Sequence, residues 1–383
     1  MELATGLQTL LIAAVVAAIA PVVVALLPGP RIPQVVLLLV GGALVGPQVL
    51  ALADRQAIDL LVNVGLGFLF LLAGYELDLH LFRGHTGRLA IAAWLVTLGL
   101  AVAVVGILAI AGFVRAFVPV ALGLTTTALG TLMPILHENG MLGGRLGRHL
   151  LPAGTVGELL PIIAIALFLG ASDKFVAVGS LVAVGTLAAV LSYAPRLVRS
   201  DRLHRIVREG EGSTTQITVR LTVVLLLLLL SVAQRFGLDV VLGAFLAGIV
   251  LRRWAGDILD LKTKLDAIGY GFFIPLFFVA SGMGLDLAGI VQAPQRLAVF
   301  FVLLLLVRGV PVLFLYRGDL PAVERVEMML LTATALPLLV ALAEIGLRNG
   351  TMLEENAAAM VGAGALSVVV FPMLAVAIDR RRR

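Results

Sequence analysis

The chain has 383 residues, of which 61% are hydrophobic and only 13% are charged. This composition excludes a protein whose whole surface faces water, and it predicts an all-α protein embedded in a lipid bilayer. The absence of cysteine excludes disulfide bonds and thiolate metal ligands. In so apolar a chain, the net charge of +5 indicates basic loop residues that set the membrane orientation, and we expect no nucleic-acid binding.

Long apolar runs, separated by short polar breaks, divide the chain into predicted transmembrane helices. A helix needs about 20 apolar residues to cross the hydrocarbon core of a bilayer. On that scale we predict about thirteen spans, and the first is retained because no basic leader region or cleavage site precedes Pro21. In chain order the predicted spans are 7–27, 33–50, 57–76, 88–112, 114–137, 147–170, 175–195, 216–235, 238–252, 267–285, 293–316, 324–346 and 355–378.

The distribution of basic residues predicts the orientation of these spans. When the N-terminus is placed outside the cell, 21 of the 28 Lys and Arg residues fall on the cytoplasmic side, including the segment 196–220 and the tail 380–383. Six fall outside, and Arg308 lies within a span. Because basic residues prefer the cytoplasmic side, we predict an N-terminus outside and a C-terminus in the cytoplasm.

Two pairs of similar segments indicate an internal repeat. Residues 72–79 (LAGYELDL) match residues 280–287 (ASGMGLDL) at an offset of 208, and residues 124–129 (LTTTAL) match residues 331–336 (LTATAL) at an offset of 207. A shift by seven spans carries the first six spans onto the last six and, because seven is odd, reverses their direction across the membrane. We therefore predict two inverted six-helix repeats joined by the span 175–195.

Two ionisable residues of opposite charge lie near the middle of predicted spans. Glu158 belongs to the sixth span and Arg308 to the eleventh. Because a charge inside the bilayer is costly, each is a candidate for a functional site. The alternative is a buried ion pair that only joins two helices. Against that alternative, Pro152 and Pro161 flank Glu158 and free backbone carbonyls close to its carboxylate.

Threonines occur at the same depth in both repeats and predict two broken helices. Residues 125–127 lie midway along the fifth span, and Thr332 and Thr334 lie midway along the twelfth, just before Pro337. Broken helices present half-helix ends and unwound carbonyls to an ion, and Thr hydroxyls add oxygen ligands. The alternative is that each hydroxyl bonds to the preceding turn of its own helix.

Other polar residues are weaker candidates. Glu76, Asp78 and Asp286 lie at span ends where water can solvate them, and Glu344 lies near the outer end of its span. The five histidines fall in or beside predicted cytoplasmic loops without metal-ligand spacing, and nothing in the sequence supports a pH-sensing role for any one of them. They are His80, His85, His137, His149 and His204.

Seven motifs spread over nearly the whole chain point to a known family. They read LLVGGALVGP, GLGFLFLLAGYELDL, TTTALGTLMPIL, LGRHLLPAGTVGELLPI, GAFLAGIVL, IPLFFVASGMGLDL and TALPLLVALAEIG. Together they resemble the membrane part of the Kef-type and Nap-type bacterial cation:proton antiporters, which belong to the sodium/hydrogen exchanger superfamily.

The resemblance implies a thirteen-helix inverted repeat with a dimerisation scaffold and a mobile core that carries two crossed broken helices. The crossing points would be residues 125–127 and 332–337, and Arg308 would match the basic residue of the core. The implied division is scaffold 1–85, core 86–170, linker 171–215, scaffold 216–290 and core 291–383.

The chain departs from the family at one position of the implied site. The sixth helix of the family carries an amide or acid followed by Asp, whereas this chain reads Gly157-Glu158. Glu158 can exchange a proton for a cation with one more methylene, and Gly157 removes the preceding polar ligand. The implied cation and proton site comprises Glu158, Thr126, Thr127, Gly157, Thr332 and Thr334, with Arg308 as a fixed counter-charge that favours the ionised form of Glu158.

These observations lead us to expect an electroneutral secondary antiporter that exchanges Na⁺ or K⁺ for H⁺ by alternating access. We expect a homodimer in the bacterial inner membrane, with no cofactor and no metal other than the transported cation. A sodium-coupled organic-anion symporter is the alternative, because it can share this architecture and use Arg308 to bind the anion. A channel would need a filter-like repeat, and the sequence shows none. An enzyme would need a nucleophile-base pair or a metal cluster, and the sequence shows neither of these.

Overall fold

A computed structural model describes residues 2–26, 33–77, 79–82, 84–169, 174–197, 216–255 and 259–382. Within these ranges every regular element is a helix and there is no strand. The helices of the first half are α1 (Glu2–Leu26), α2 (Gln34–Val45), α3 (Asp59–Glu76), α4 (Gly84–Ile110), α5 (Phe117–Gly123), α6 (Leu129–Glu138), α7 (Arg145–Phe168) and α8 (Lys174–Leu197).

The second half continues with shorter pieces that join into longer spans. Two π-helical turns, Gly269–Phe273 and Leu304–Gly309, connect consecutive helices without ending the span. The helices are α9 (Ile217–Arg235), α10 (Val240–Ala255), α11 (Leu259–Ile268), α12 (Ile274–Met283), α13 (Leu287–Gln292), α14 (Pro294–Leu303), α15 (Val310–Leu315), α16 (Ala322–Thr332), α17 (Pro337–Arg348) and α18 (Glu354–Arg382).

The predicted fold class is confirmed, because the chain is an all-helical, multi-pass membrane protein. Each of the thirteen predicted spans coincides with one helix or with consecutive helices. In the described part of the chain, nine helical segments are long and apolar enough to cross a membrane, and shorter apolar helices cover Gln34–Val45 and Val178–Tyr193. Most of the predicted cytoplasmic loop, residues 198–215, lies outside the described residues.

Both predicted breaks are present in the backbone. Residues 124–128 separate α5 from α6, and residues 333–336 separate α16 from α17. The second break has a clear local cause, because Pro337 at the start of α17 disfavours a helical conformation for Leu336, whose φ and ψ are −148° and −56°. Pro337 also lacks the N–H that would continue the hydrogen bonds of α16.

The described chain divides into two compact units, and each has its own helix packing. One unit contains residues 58–77 and 162–277. There α3 and α10 approach closely through glycines, because a Cβ on Gly74 would lie 2.1 Å from the Phe245 carbonyl oxygen, and one on Gly248 would lie 2.1 Å from the Leu71 carbonyl oxygen. Small residues of this kind allow helix backbones to touch in a membrane.

The other unit contains residues 1–57, 78–161 and 278–383, and it repeats the same contact between different helices. A Cβ on Gly42 would lie 2.0 Å from the Val279 carbonyl oxygen, and one on Gly282 would lie 2.2 Å from the Leu39 carbonyl oxygen.

These two glycine contacts are equivalent under the repeat. Gly74 and Gly282 are 208 residues apart, which is the offset found in the sequence. Gly74 packs on Phe245, three residues before Gly248, and Gly282 packs on Leu39, three residues before Gly42. The contact between α2 and α12 is therefore the counterpart of the contact between α3 and α10. This equivalence supports the predicted repeat, and two of its four glycines, Gly42 and Gly248, lie outside the sequence matches that indicated it.

Candidate ion-binding site

The two helix breaks meet each other, as predicted. The Ala128 N–H donates to the Thr334 carbonyl at 2.8 Å, and the Thr127 hydroxyl donates to the Thr332 carbonyl at 2.7 Å. Each break thus supplies hydrogen-bond partners for some of the unwound backbone groups of the other break. Irregular backbone is tolerated at membrane depth when its polar groups are paired in this way. The four half-helices α5, α6, α16 and α17 therefore end at one place.

Thr127 connects this crossing to α7 and to Arg308. Its N–H donates to the Gly157 carbonyl at 3.0 Å, and its hydroxyl oxygen accepts from Arg308 Nε at 3.0 Å. A hydroxyl can donate once and accept twice, so Thr127 serves Thr332 and Arg308 at the same time. One residue therefore joins both breaks, α7 and the π-helical turn that carries Arg308, through its backbone N–H and its hydroxyl.

Arg308 is buried in this site, with only 1% of its surface exposed. Besides the Nε bond to Thr127, its Nη2 donates to the Ala153 carbonyl at 2.9 Å. Its Nη1 is buried and has no hydrogen-bond partner among the described residues. A buried guanidinium with one unsatisfied nitrogen is costly, and such groups are retained at functional sites more often than elsewhere.

Gly157 provides the space that the guanidinium fills. A Cβ at this position would lie 2.7 Å from Arg308 Nη2 and 2.6 Å from Thr127 Oγ1. The sequence suggested that glycine here only removes a polar ligand. The structure shows that the glycine also allows the guanidinium to pack directly on the backbone of α7.

Glu158 follows Gly157 on α7 and is only half-buried, whereas the neighbouring Gly157 is fully buried. Its helix contains Pro152 and Pro161, so the hydrogen-bond ladder is interrupted on both sides of the carboxylate. Glu158 therefore directly follows the glycine whose carbonyl accepts from the Thr127 N–H and on which Arg308 packs, and its role as the proton and cation carrier stays a prediction.

The other candidate threonines bond to their own helices. The Thr126 hydroxyl donates to the Gly123 carbonyl at 2.8 Å, that of Thr332 to the Met328 carbonyl at 2.8 Å, and that of Thr334 to the Leu330 carbonyl at 3.2 Å. This is the alternative that the sequence left open. Each hydroxyl oxygen keeps lone pairs, so the role of these threonines as cation ligands stays a prediction.

The weaker candidates in the described residues have polar partners of their own. Glu76 forms an ion pair with Lys262 at 2.9 Å, and Asp286 caps α13 by accepting from the Gly289 N–H at 2.8 Å. Glu344 is buried and pairs with Arg55 and with Arg348, the latter at 2.9 Å. Asp78 lies outside the described residues.

Sequence reasoning missed two kinds of polar residue. Ser367 on α18 accepts from the Ala335 N–H at 3.1 Å and so supports the second break, and its only signal is a single hydroxyl in an apolar span. Glu324 and Glu327 at the start of α16 are buried, and Arg382 pairs with Glu324. The spacing of these two carboxylates places them on one helix face, which is the signal that could have identified them.

An inverted repeat of apolar helices, with two helices broken at a common point beside a buried charge, defines the class of secondary membrane transporters. The chain belongs to the family described as "Sodium/hydrogen exchanger, transmembrane", whose model matches residues 11–377. The family consists of transporters rather than enzymes.

Similar proteins of known name are described as antiporters. The chain is 26% identical over 269 residues to the putative Na⁺/H⁺ antiporter YjbQ of Bacillus subtilis. The aligned region covers 69% of this chain and 43% of the relative. It is 26% identical over 365 residues to cation/H⁺ antiporter 15 of Arabidopsis thaliana, with coverage of 86% and 43%. The chain thus spans less than half the length of these relatives.

A solved structure shares the fold over the whole chain. The sodium proton antiporter MjNhaP1 from Methanocaldococcus jannaschii, solved at pH 8, matches with a TM-score of 0.63 and 18% sequence identity. The match covers 100% of this chain and 97% of the other.

Proposed function

We propose that this protein is a secondary antiporter that exchanges a monovalent cation, Na⁺ or K⁺, for H⁺ by alternating access. The observation that carries the proposal is that Glu158, a half-buried acidic residue of α7, directly follows Gly157, whose carbonyl accepts from the Thr127 N–H at the first helix break and on which Arg308 packs. Glu158 binds a proton or a cation, but not both at once. Competition for one carboxylate couples the two fluxes without any further device.

The broken helices supply the rest of the binding environment. The C-terminal ends of α5 and α16 point carbonyl groups toward the crossing, and such ends carry partial negative charge that favours a cation. Thr126, Thr332 and Thr334 are buried beside those ends and add hydroxyl oxygens. Arg308 stays protonated and offsets the charge of Glu158 when no cation is bound. One titrating carboxylate implies one proton per cation, and so electroneutral exchange.

The proposal includes a location and an assembly. The basic residues of the loops support an N-terminus outside and a C-terminus in the cytoplasm, and the bacterial relative supports the bacterial inner membrane. We propose a homodimer in which residues 1–85 and 216–290 form the scaffold while residues 86–170 and 291–383 move as the core. The linker is 171–215.

A sodium-coupled organic-anion symporter is the second candidate, and one observation favours it. The Nη1 of Arg308 is a buried donor without a partner among the described residues, and a carboxylate substrate would satisfy it. Exchange is still favoured, because the hydroxyl oxygens of Thr126, Thr332 and Thr334 and the carbonyl groups at the ends of α5 and α16 match a cation better than an anion.

Purified protein in proteoliposomes containing a pH-sensitive dye distinguishes the two candidates. An imposed proton gradient should collapse on addition of Na⁺ or K⁺ alone, and at the same rate with and without a membrane potential. Empty liposomes and Li⁺ provide the controls for leakage and selectivity. If the gradient responds only when an organic anion is added with Na⁺, symport replaces antiport. A rate that depends on membrane potential would contradict one-for-one exchange.

A further inference from the structure

The second helix break is held by a serine whose repeat equivalent carries no hydroxyl. The Ser367 hydroxyl oxygen of α18 accepts from the Ala335 N–H at 3.1 Å. The same hydroxyl lies 2.7 Å from the Gly364 carbonyl and 3.0 Å from the Ala335 carbonyl, and it can donate to one of them at a time. Ser367 is fully buried. It therefore supplies the second break with an acceptor from outside the two broken helices.

The equivalent N–H group of the first break has a different partner. The repeat offset of 207 relates Ser367 to Leu160 and Ala335 to Ala128. A leucine side chain cannot accept a hydrogen bond. The Ala128 N–H donates across the crossing to the Thr334 carbonyl at 2.8 Å. One N–H is therefore paired between the two breaks, whereas the other is paired with α18.

Repeat symmetry would place a second, reciprocal bond at the crossing. The offset of 207 converts the bond from the Ala128 N–H to the Thr334 carbonyl into a bond from the Ala335 N–H to the Thr127 carbonyl. Of these two bonds between described residues, the first is formed and the second is not, because Ser367 accepts from the Ala335 N–H. The serine thus breaks the symmetry of the crossing.

The Thr127 carbonyl is consequently an open acceptor in the core. Thr127 is 3% exposed, and its carbonyl oxygen accepts no hydrogen bond from the described residues. Its N–H and its hydroxyl are bonded to Gly157, Thr332 and Arg308, which fix the residue in place. A buried carbonyl without a donor is uncommon and needs another partner. Carbonyl oxygens of unwound backbone between half-helices are suited to bind a cation.

A second carbonyl of the first break shows the same asymmetry. The Thr127 hydroxyl donates to the Thr332 carbonyl, and its repeat equivalent would be a bond from the Thr334 hydroxyl to the Thr125 carbonyl. The Thr334 hydroxyl donates instead to the Leu330 carbonyl at 3.2 Å. Thr125 is fully buried, and its carbonyl accepts no hydrogen bond from the part of the chain that the structure describes. Donors of the second break are thus directed away from the first break at two positions.

We propose that Ser367 is a positioning residue of the ion site, which holds the Ala335 N–H away from the Thr127 carbonyl and so keeps that oxygen available to the transported cation. Ser367 does not touch the ion. It acts by removing a donor that would compete with the cation for the same lone pairs. This role rests on the proposed function, because it assigns a backbone ligand to the cation that exchange requires.

Ser367→Ala tests this role in proteoliposomes, because it deletes the acceptor and releases the Ala335 N–H to the Thr127 carbonyl. The cation then competes with that N–H, so the KM of exchange for Na⁺ or K⁺ should rise about tenfold while kcat stays within about twofold of the native value. Ser367→Thr keeps the acceptor oxygen and should keep the native KM. An unchanged KM in folded Ser367→Ala, or the same rise in Ser367→Thr, would overturn the proposal.

Ser192→Ala is the matched control. Ser192 is a buried serine of α8 whose hydroxyl donates to the Ala188 carbonyl at 2.8 Å, within its own helix. The same substitution there removes one buried hydrogen bond in a helix that carries neither break, so the KM should not change. A rise in KM as large as in Ser367→Ala would show that the loss of any buried hydroxyl weakens cation binding, and would refute a specific role for Ser367.

Amide hydrogen exchange of Ala335, resolved by mass spectrometry, separates failure of this role from failure of the proposed function. In Ser367→Ala the amide should stay protected, because its hydrogen bond moves to the Thr127 carbonyl, and saturating Na⁺ or K⁺ should lower that protection in the variant but not in the native chain. If the native chain exchanges no cation for protons, the proposed function fails, and the protection in the variant still decides where the donor goes. An amide that loses its protection without any cation, or one that no cation affects, would overturn the competition at Thr127.

Discussion

The two helix breaks are alike in backbone and different in polar chemistry. Each lies midway along a span, and each packs on a glycine of the next long helix. The first break rests on Gly157, and the second rests on Gly364, where a Cβ would lie 2.8 Å from the Ala335 carbonyl oxygen. These two glycines differ by the repeat offset of 207. The repeat has therefore preserved the backbone arrangement in both halves.

The polar groups around the breaks are not repeated. At the first break Thr127 binds Arg308 and the Thr332 carbonyl, whereas its counterpart Thr334 bonds within its own helix. The residue after the glycine is Glu158 in the first half and Ala365 in the second. The comparison indicates that the second break mainly supplies structure and carbonyl oxygens. We therefore expect the titrating chemistry at the first break.

The largest expected effect comes from the carboxylate that only the first half possesses. Glu158→Gln keeps the size of the side chain and its hydrogen bonds but cannot titrate, so exchange should be abolished in a folded protein. Glu158→Asp should retain part of the activity, because the charge remains while the reach shortens by one methylene. Exchange by purified variants in proteoliposomes, with melting temperature as the test of folding, is the measurement.

Glu76→Gln is the matched control for this prediction. Glu76 is a partly exposed carboxylate at the end of α3, paired with Lys262 at 2.9 Å, and its loss should leave exchange near the native rate. Exchange that persists with a normal pH profile in Glu158→Gln would refute the assignment of the carrier. The search would then turn to Glu344.

Removal of the counter-charge should have the next largest effect. Arg308→Ala deletes a buried cation that favours ionised Glu158, so cation binding should require a higher pH and the pH profile of exchange should move upward. The loss of bonds to Thr127 and the Ala153 carbonyl should also lower stability, by roughly 3 kcal/mol as for other buried charged groups. Unchanged melting and an unchanged profile would show that the two charges are not coupled.

Arg308→Lys separates the charge from the hydrogen bonds. Lysine keeps the positive charge but cannot reach Thr127 and Ala153 with two fixed nitrogens, because its ammonium is a single point donor. The pH profile should therefore stay close to that of the native chain while the melting temperature falls. A profile shifted as far as in Arg308→Ala would mean that geometry, and not charge, governs Glu158.

The fold was largely predictable from the sequence, because apolar length, loop charge and a repeated pattern each leave a signal. Thirteen spans, two breaks and their contact follow from those signals. The details of the site leave no such signal in the sequence. The guanidinium of Arg308 can take many rotamers, and only the packing of three helices selects the one that lies on Gly157. The π-helical turn Leu304–Gly309 likewise depends on tertiary packing.

The distinct role of Thr127 was also beyond sequence reasoning. The stretch 125–127 presents three identical residues, and two of them bond to the preceding turn, as helix-terminal threonines usually do. The direction of the third is set by the backbone of the break, which turns Thr127 away from its own helix. A match between two repeats identifies equivalent positions. It does not show which of the two equivalent residues has a function.

Paired glycine substitutions should have a smaller effect and test whether the first break is the functional one. Gly157→Ala would push against Arg308 Nη2 and Thr127 Oγ1, while Gly364→Ala would push against the Ala335 carbonyl. Each should cost about 1–3 kcal/mol in stability through overpacking. Only Gly157→Ala should also change the pH profile and apparent cation affinity of exchange, because only there does the added methyl displace the counter-charge.

Equal changes in transport for the two glycine variants would contradict the asymmetry between the breaks. Proteoliposome exchange measured at saturating and at low cation concentration separates an effect on affinity from an effect on rate. Thermal unfolding of both proteins shows whether the comparison is made at similar stability.

The smallest effect is expected from replacing single hydroxyls by methyl groups of the same shape. Thr127→Val removes the bonds to the Thr332 carbonyl and Arg308 Nε, and it leaves a charged donor without a partner in the core, at a cost of about 1–3 kcal/mol. Thr334→Val removes one bond within its own helix and should cost less than about 1 kcal/mol. Unfolding and exchange of the two variants, measured together, compare equivalent positions of the two breaks.

The transport measurement on these threonine variants also tests whether Thr334 is a cation ligand. If its oxygen coordinates the ion, Thr334→Val should weaken apparent cation affinity at nearly unchanged stability. If the second break contributes only backbone carbonyls, the affinity should match that of the native chain, while Thr127→Val shifts the pH profile through Arg308. A shift of the same kind and size in both variants would mean that the two breaks share the chemistry of the site equally, contrary to the asymmetry seen at Glu158 and Ala365.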